Sequence, residues 1–246
     1  MSTQVAILAA GMGTRLGRPF PKPLTPLRDG RSIMAQQFDN IHVSFANDAR
    51  IMVVVGFKLE AILEAFPDAA FVYNELYDQT NTSKSLLKAL RASPDGGVLW
   101  MNGDVVFDPS VLDRARRHLA ADTSFVCVNT AAVGDEEIKY TVDADGYIDG
   151  LSKTVDGALG EAVGINYISG ADKDALIARL AEAADHDYFE RGMELAIERD
   201  AVRFLPLNVS DLFVVEVDFA ADLAMANEHI HNLSDGRAPR GLRSDR

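Results

Sequence analysis

Apolar residues along the chain alternate between short β-branched runs and longer segments with helical spacing. The runs Val5–Leu8 and 51–55 are apolar throughout, as expected of buried parallel strands. The segment Ser32–Phe45 repeats apolar residues at helical spacing and predicts a helix. The same pattern predicts further strands over 69–73, 97–104 and 123–128, and further helices over Leu59–Phe66, Ser83–Ala92 and Pro109–Ala120. We therefore predict an α/β fold in which helices cover both faces of a mostly parallel central sheet.

The pattern changes after Val128. Two short alternating runs on either side of the sequence DADG, residues 143–146, predict an antiparallel hairpin. The remaining pattern predicts strands over 160–169, 202–208 and 213–217, and helices over Asp172–Ala184, Tyr188–Glu198 and Phe219–His231. We expect a single domain over residues 1–232, with a small antiparallel insertion at about 134–200. Residues 233–246 are polar and basic and contain glycine and proline, so we expect a disordered tail.

Composition narrows the possible functions. The chain has 246 residues, of which 48% are hydrophobic and 25% charged, as in ordinary globular proteins. Its formal net charge of −13 argues against a nucleic-acid partner, because such a surface has to neutralise phosphates. Cys127 is the only cysteine and lies in an apolar run, which excludes an internal disulfide and predicts a buried, inert thiol. The N-terminus does not have the order of a signal peptide, and no apolar run approaches the ~20 residues that cross a bilayer. We therefore expect a cytoplasmic protein without a membrane partner.

A glycine-rich segment, LAAGMGTRLGRPFPKPL at residues 8–24, follows the first predicted strand. It lacks the GK[ST] ending of a P-loop, and Leu16 stands where a dinucleotide-binding loop has its third glycine. Backbone N–H groups over Gly11–Thr14 can surround phosphate oxygens. Arg15 and Lys22 can neutralise charge that develops there, and prolines on both sides restrict Lys22. The segment therefore predicts a phosphate-binding loop with two catalytic cations, the alternative being a solvated basic loop.

Acidic residues follow two of the predicted strands. Asp104 ends the central strand, at the edge where open α/β sheets bind their ligands. Asp108 precedes a proline and is the better candidate to cap the next helix, which leaves Asp104 available for another role. Late in the chain, Glu216 and Asp218 stand at the end of a strand, where either can also cap the final helix.

These segments resemble the signature of nucleotidyltransferases that couple a nucleoside triphosphate to a phosphorylated sugar or alcohol and release pyrophosphate. The motifs LAAGMGTRLG…PKPL, NGD and E-x-D occur in that family's order. The resemblance implies that Arg15 and Lys22 contact the phosphates of the triphosphate. It also implies that Mg²⁺ binds Asp104 and a late acid, for which Asp218 is our choice before Glu216, and hard oxygen ligands suit this ion. The nucleotide contacts implied by the resemblance are Leu8, Ala9, Ala10, Gly11, Gly13, Thr14 and Gly103.

The segment YNELYDQTNTSKSL, residues 73–86, resembles the corresponding segment of phosphocholine cytidylyltransferases, in which the start of a helix lies beside the base. By this resemblance Asn81, Thr82 and Ser85 contact a pyrimidine. The same short polar side chains are also suited to capping the helix. We therefore expect CTP as the donor, with UTP and dTTP as alternatives that differ only at the 4-position of the ring.

The acceptor contacts are predicted within the insertion. By resemblance, Lys139 or Lys153 holds the phosphate of the acceptor, and Glu161 binds a hydroxyl or ammonium group. Tyr188 and Glu190 combine an aromatic face with a carboxylate, which suits a choline or amino-alcohol head group. Their helical spacing with later apolar residues is also typical of core packing, and either lysine can simply lie at the surface.

We therefore predict a Mg²⁺-dependent nucleotidyltransferase. An oxygen of the acceptor's phosphate attacks the α-phosphorus of a pyrimidine triphosphate, for which we expect CTP, and pyrophosphate leaves. The incoming group is already anionic, so no general base is needed, and catalysis is by positioning and electrostatics. The acceptor is a small phosphorylated alcohol such as phosphocholine, or a phosphonate, and a homodimer is allowed. The alternatives are a sugar-1-phosphate uridylyl- or thymidylyltransferase and a non-catalytic nucleotide sensor.

Overall fold

The predicted alternation of strands and helices is present in the computed structural model, which describes residues 2–13, 17, 19–131, 133–134 and 137–234. The helices are α1 (Ile33–Phe45), α2 (Leu59–Ala65), α3 (Thr82–Ala92), α4 (Ser110–Ala120), α5 (Lys173–Glu182), α6 (Phe189–Asp200) and α7 (Ala220–Ser234), with short 3₁₀ helices at Lys22–Leu24 and Ala46–Asp48. The strands are β1 (Thr3–Ala9), β2 (Ala49–Val55), β3 (Ala70–Tyr73), β4 (Val98–Asn102), β5 (Val105–Phe107), β6 (Phe125–Asn129), β7 (Lys139–Val142), β8 (Ile148–Ser152), β9 (Gly160–Ile168), β10 (Leu205–Asn208) and β11 (Val214–Glu216).

Most of these strands form one central sheet. Within the described residues its order is β10-β6-β9-β4-β1-β2-β3, and the β7–β8 hairpin is attached to it through β9. β1 pairs in parallel with β2 and β4, β2 with β3, and β6 with β10. β9 runs antiparallel to both β4 and β6. The sheet is therefore mostly parallel, as predicted, while β5 and β11 form a separate antiparallel pair.

Each face of the sheet has its own apolar core, because successive side chains on a strand point to opposite faces. Trp100 belongs to the core under α3, α5 and α6, and the next residue, Met101, belongs to the core under α1, α2 and α4. Both side chains are fully buried. Burial of one such side chain stabilises the fold by roughly 1.5–3 kcal/mol. The two cores therefore fix the position of the sheet between its helix layers.

Cys127 lies in β6 and belongs to the second of these cores. Its thiol is buried, and burial raises the thiol pKa, so the reactive thiolate is disfavoured at neutral pH. The prediction of a buried thiol is confirmed. Within the described part of the chain, no helix has both the length and the apolar composition that a bilayer span requires.

Side chains at the starts of α1 and α4 accept hydrogen bonds from backbone N–H groups of the first turn. The Ser32 Oγ accepts a hydrogen bond from the backbone N–H of Ala35 at 3.1 Å, which satisfies a donor in the first turn of α1. At α4, the Asp108 Oδ1 accepts from the backbone N–H of Ser110 at 2.8 Å. Asp108 therefore serves the start of the helix, as predicted, and Asp104 is not needed there.

The second half of the chain is continuous with the central sheet. The β7–β8 hairpin is attached to the sheet through β9, which itself lies between β4 and β6, and α5 and α6 pack on one face. The predicted insertion at about 134–200 thus contributes both to the cavity described below and to the core. β9 also contains Gly164, whose φ of +70° lies in the left-handed region that favours glycine.

Candidate active site

A cavity of about 220 Å³ opens at the carboxyl ends of β1 and β4. These strands are parallel neighbours, with Leu8 opposite Asn102, so the loops that follow them emerge side by side. Most of the residues predicted to bind substrates or metal lie here. The described residues that line the cavity are Leu8, Ala9, Gly11, Gly13, Lys22, Pro23, Thr82, Asn102, Gly103, Asp104, Glu137, Ile138, Lys153, Ala162, Gly164, Tyr188, Phe189, Glu190, Glu216 and Asp218.

Lys22 lies between two acids from distant parts of the chain. Its Nζ donates to the Asp104 Oδ2 at 2.7 Å and also to the Asp218 Oδ1. Asp104 follows β4, and Asp218 follows β11, which pairs with β5 and bonds back through the Val217 N–H to the Asp104 carbonyl at 3.0 Å. Burial lowers the pKa of Lys22, but the two carboxylates more than offset this effect, so its pKa is raised. Lys22 is therefore a permanently charged cation in the cavity.

The glycine-rich loop passes directly over Lys22. Gly13 has a φ of +58°, and a Cβ built there would lie 2.9 Å from the Lys22 Cβ. The short 3₁₀ helix Lys22–Leu24 then begins after Pro21, and the Leu24 N–H bonds to the Pro21 carbonyl at 2.9 Å. Glycine on one side and proline on the other thus hold the lysine close to the loop backbone.

The carboxylates of Asp104 and Asp218 have the hard oxygen atoms that suit a divalent cation. Both carboxylates approach the same ammonium group, and the Asp104 Oδ1 is buried without a hydrogen-bond partner in the described residues. Within those residues no cluster of three or more His, Cys, Asp or Glu side chains is arranged to enclose a metal. One or two carboxylates completed by phosphate oxygens and water are what Mg²⁺ prefers. The pair therefore fits an ion that arrives with a phosphorylated substrate.

Glu216 lies on the same wall as Asp104 but has its own partner. The Asn102 Nδ2 donates to the Glu216 Oε1 at 3.2 Å. Burial, together with the charges of Asp104 and Glu137, raises the pKa of Glu216 well above its ordinary value. A Cβ on Gly164 would lie 2.3 Å from the Glu216 Oε1, so a larger residue at this position would displace the Glu216 side chain.

One end of the cavity is lined by residues at the start of α6. Tyr188 precedes this helix, and the Lys153 Nζ lies 5.5 Å from the centre of the Tyr188 ring. Glu190 lies in the first turn and is buried. Burial raises its pKa to about 7, with a further rise from Glu194, while its own backbone N–H and Lys153 act in the opposite direction. A cation, a ring face and a titratable carboxyl group therefore stand together at this end.

Five of the residues predicted to bind the substrates do not line the cavity and instead contact other parts of the chain. The Asn81 Oδ1 accepts from the Thr82 N–H at 2.8 Å at the start of α3, and its Nδ2 donates to the His186 carbonyl at 3.2 Å. The Ser85 Oγ accepts from the Asn74 Nδ2 at 3.2 Å. Thr82 alone of the three predicted base contacts lines the cavity, and its Oγ1 accepts from the Phe189 N–H at 3.1 Å.

The other three lie at the strands and the loop beside the cavity. Lys139 and Glu161 are opposite each other on β7 and β9, and the Glu161 Oε2 accepts from the Gly134 N–H at 2.9 Å. The Ala10 carbonyl accepts from the Phe57 N–H at 3.1 Å. Thr14 and Arg15 lie outside the described residues. Their parts in binding, like those of the residues above, stay predictions.

The structure adds Asn102, Glu137 and Gly164 to the cavity. Asn102 had a signal in the sequence, because it precedes the GD motif at the end of a central strand. Nothing in the sequence indicated that Glu137 lines a cavity, since it stands in a segment without periodicity. Burial and the charge of Glu161 raise the pKa of Glu137. The walls of the cavity therefore carry more acid than the motifs indicated.

Residues 5–142, more than half of the chain, match the family model of the MobA-like NTP transferase domain. The CMP-5′-(3-aminopropyl)phosphonate synthase of Streptomyces rubellomurinus is 38% identical over 120 residues, which are 45% of this chain and 18% of that protein. The bifunctional protein GlmU of Acidithiobacillus ferrooxidans is 33% identical over 165 residues, which are 63% of this chain and 34% of that protein. The chain thus matches about a third or less of the length of these relatives.

Two solved structures have the same fold. The inositol-1-phosphate CTP transferase of T. maritima superposes with a TM-score of 0.75 at 16% identity, covering 97% of this chain and 98% of that one. The CTP:phosphocholine cytidylyltransferase of Streptococcus pneumoniae superposes with a TM-score of 0.69 at 15% identity, covering 94% of this chain and 100% of that one. At these identities the likeness establishes the fold alone. The prediction of a nucleotidyltransferase fold is confirmed.

Proposed function

We propose, from the premise that the chain belongs to the MobA-like NTP transferase domain family, that this nucleotidyltransferase transfers CMP from CTP to a small acceptor carrying a phosphate or phosphonate group. An oxygen of that group forms a bond to the α-phosphorus of CTP, the bond from the α-phosphorus to the bridging oxygen breaks, and pyrophosphate leaves. The products are a CMP-acceptor conjugate and pyrophosphate. The reaction requires Mg²⁺.

The observation that carries this proposal is the position of Lys22. It brings a permanent positive charge to two carboxylates and to the backbone of the glycine-rich loop, all at the ligand-binding edge of the sheet. A purely structural lysine has no need of two acids and a glycine loop at an open cavity. Positive charge that is already in place where phosphate oxygens gain negative charge is a major source of catalysis in such transfers.

In the proposed complex, Asp104 and Asp218 would hold Mg²⁺. When bound, the ion supplies positive charge that stabilises the phosphate oxygens during transfer. Lys22 supports the same oxygens from the side of the loop, and the N–H groups from Gly11 to Gly13 surround the triphosphate. Arg15 neutralises the departing pyrophosphate in this proposal. The acceptor oxygen is already anionic, so no residue of the cavity has to remove a proton.

A pyrimidine donor is supported by two kinds of observation. Thr82 lines the cavity at the start of α3, where a short hydroxyl side chain can bond to the edge of a base. The related phosphonate synthase and both solved structures are named for CMP or CTP. We therefore propose CTP as the donor in preference to UTP and dTTP.

The acceptor is proposed to bind toward α6. Lys153 would hold its phosphate or phosphonate group, and Tyr188 and Glu190 would contact its other end. All three line the cavity, and Lys153 stands next to the Tyr188 ring. The part of the chain at about 134–200 would then form the acceptor side, within a single domain over residues 1–232.

A sugar-1-phosphate acceptor is the second candidate. The match to the bifunctional protein GlmU, which covers 63% of this chain, is compatible with this alternative. The acidic end of the cavity argues for the first candidate, because a neutral sugar ring has no charge to pair with Glu190.

Pyrophosphate release tests the proposal. CTP, UTP, dTTP, ATP and GTP would each be combined with aminoalkylphosphonates, phosphoethanolamine, phosphocholine, inositol phosphate and glucose 1-phosphate, with and without MgCl₂. We expect release with CTP and an aminoalkyl acceptor, only when Mg²⁺ is present. The Asp104→Asn variant should be inactive, whereas Asp113→Asn, which removes an exposed acid from α4, should match wild type. Release only with glucose 1-phosphate would discard this acceptor and keep the transfer.

A further inference from the structure

Glu190 has hydrogen-bonding capacity that no described residue uses. Its side chain lines the cavity, the residue is 7% exposed, and its Oε2 has no hydrogen-bond partner in the described part of the chain. A buried carboxylate oxygen without a donor is unfavourable, so its presence in a native structure needs a reason. The terminal torsion of a glutamate turns readily, so either oxygen can meet a ligand. A donor on the substrate is one such reason.

Among the described residues that line the cavity, one aromatic ring is open beside Glu190, since Tyr188 is 41% exposed. The Lys153 ammonium lies over the Tyr188 ring, at 5.5 Å from its centre, and this is a cation–π contact. Phe189 is the other aromatic residue among the described residues that line the cavity, but it is 1% exposed and packs edge-on against Trp100 at 5.7 Å. A cage for a quaternary ammonium needs several open ring faces, and Tyr188 supplies one. The described walls of the cavity offer a carboxylate and no such cage.

We propose that the acceptor carries a primary ammonium group and that Glu190 binds it; this deepens the proposed function and rests on it. A primary ammonium has three N–H donors and can satisfy both oxygens of a carboxylate. A trimethylammonium group has none, so it would leave the Oε2 without a partner. The substrate class is therefore an ω-aminoalkyl phosphonate or phosphate, and phosphocholine is a poor substrate.

The charges of the whole cavity agree with a zwitterionic acceptor. Among the described residues that line it there are five acidic and two basic side chains. Lys22 is paired with acids at the nucleotide end, and Lys153 stands near Glu190 at the other. A dianion without a cationic group would face this excess of acid alone, whereas an acceptor with an ammonium at one end and a phosphonate at the other meets opposite charges at both.

The experiment is a series of acceptors that differ only at nitrogen. Phosphoethanolamine, its N-methyl and N,N-dimethyl derivatives, and phosphocholine would be compared with CTP and Mg²⁺, beside 3-aminopropylphosphonate and propylphosphonate. We expect kcat/KM to fall at each methylation and to be at least roughly tenfold lower for phosphocholine than for phosphoethanolamine. Propylphosphonate should be weaker than its amino counterpart by a similar factor. Equal or higher kcat/KM for phosphocholine would overturn the inference.

The Glu190→Gln variant tests whether this one residue causes the preference for acceptors with an amino group. The amide keeps the size of the side chain and removes its charge, so we expect the KM of the amino acceptors to rise about tenfold and the preference over propylphosphonate to disappear. Glu194→Gln removes a carboxylate one turn later on α6, outside the cavity, and should keep the preference. A preference that survives in Glu190→Gln would contradict the role of this carboxylate.

Direct binding separates this inference from the proposed function. Calorimetric titration of 3-aminopropylphosphonate and propylphosphonate into wild type and Glu190→Gln measures recognition without turnover. Binding that depends on both the amine and Glu190, with no pyrophosphate released from any acceptor, would support the ammonium site and contradict the transfer reaction. Turnover of both phosphonates with equal affinity would support the transfer and overturn the ammonium site.

Discussion

At the scale of single residues, Lys22 joins the glycine-rich loop to both acids that we propose as metal ligands. Its charge should matter most when the phosphate oxygens gain charge, so Lys22→Ala should lower kcat by at least roughly two orders of magnitude. Lys173 is a matched control, because it is also buried but bonds to the Pro94 carbonyl away from the cavity. Lys173→Ala should change stability more than turnover. Near-normal turnover in folded Lys22→Ala would refute the role.

Removing Lys22 should also change the response to Mg²⁺. In Lys22→Met, Asp104 and Asp218 lose the ammonium that they share, and the repulsion between the two carboxylates should destabilise the fold. Because both acids are partly exposed, we expect the free energy of unfolding to fall by only about 1–3 kcal/mol. A divalent ion can relieve that repulsion, so Mg²⁺ should raise the melting temperature of the variant more than that of wild type. An identical Mg²⁺ effect on both proteins would argue against a metal at this pair.

Glu190 should give the protein a measurable pH dependence. Its pKa is about 7 in the folded protein, against an ordinary value of 4.5, so between these values the folded state binds more protons than the unfolded state. The free energy of unfolding should therefore fall by up to about 3 kcal/mol as pH rises from about 4.5 to about 7. Urea denaturation of wild type and Glu190→Gln across this range isolates the effect, and parallel curves for the two proteins would contradict it.

At the scale of elements, the glycine-rich loop depends on one close contact. Gly13 and Gly17 both have positive φ, but only a Cβ at Gly13 meets Lys22. Alanine should cost about 1–2 kcal/mol of backbone strain at either position, and at Gly13 it should also displace Lys22. We expect the KM for CTP to rise roughly tenfold more in Gly13→Ala than in Gly17→Ala. Steady-state kinetics on both variants checks this, and equal effects would show that strain alone matters.

The elements themselves could be predicted from hydrophobic periodicity, whereas their pairing could not. The segment 97–104 reads as one strand, but the chain turns at Gly103 and Asp104 between β4 and β5. Likewise the apolar run 160–169 is equally compatible with a parallel or an antiparallel strand, and only the structure shows β9 antiparallel between β4 and β6. Local patterns fix burial, but the direction of a strand depends on residues far away in sequence.

The candidate site likewise contains some residues that could be predicted from the sequence and others that could not. Lys22, Asp104 and Asp218 were found because they stand in motifs with recognisable chemistry, and the structure brings them into contact. Glu137 reaches the cavity from a segment without pattern, so nothing in the sequence could reveal it. Asn81 was suited both to a base contact and to a helix cap, and its cap is present in the structure. Sequence gives the chemistry of a side chain, while its partner depends on tertiary packing.

At the scale of the whole molecule, the glycine-rich loop and α6, which are far apart in sequence, both line the cavity. Phe189 connects α6 to the sheet by packing against Trp100, the only tryptophan of the chain. Phe189→Leu should lower the free energy of unfolding by about 1–3 kcal/mol and raise the KM for the acceptor. Tryptophan fluorescence during denaturation and a two-substrate kinetic matrix measure these effects. A KM for the acceptor equal to that of wild type would contradict a role of Phe189 in positioning α6.

Detection of the new bond is the most direct measurement of the proposed transfer. Wild-type protein, CTP, Mg²⁺ and 3-aminopropylphosphonate would be followed by ³¹P nuclear magnetic resonance, with mass spectrometry of the product. We predict that pyrophosphate and a CMP–phosphonate conjugate form in equal amounts, and that neither forms with Asp104→Asn. Free CMP as the only nucleotide product, or CTP and the phosphonate both left unchanged by the folded protein, would contradict the proposed transfer.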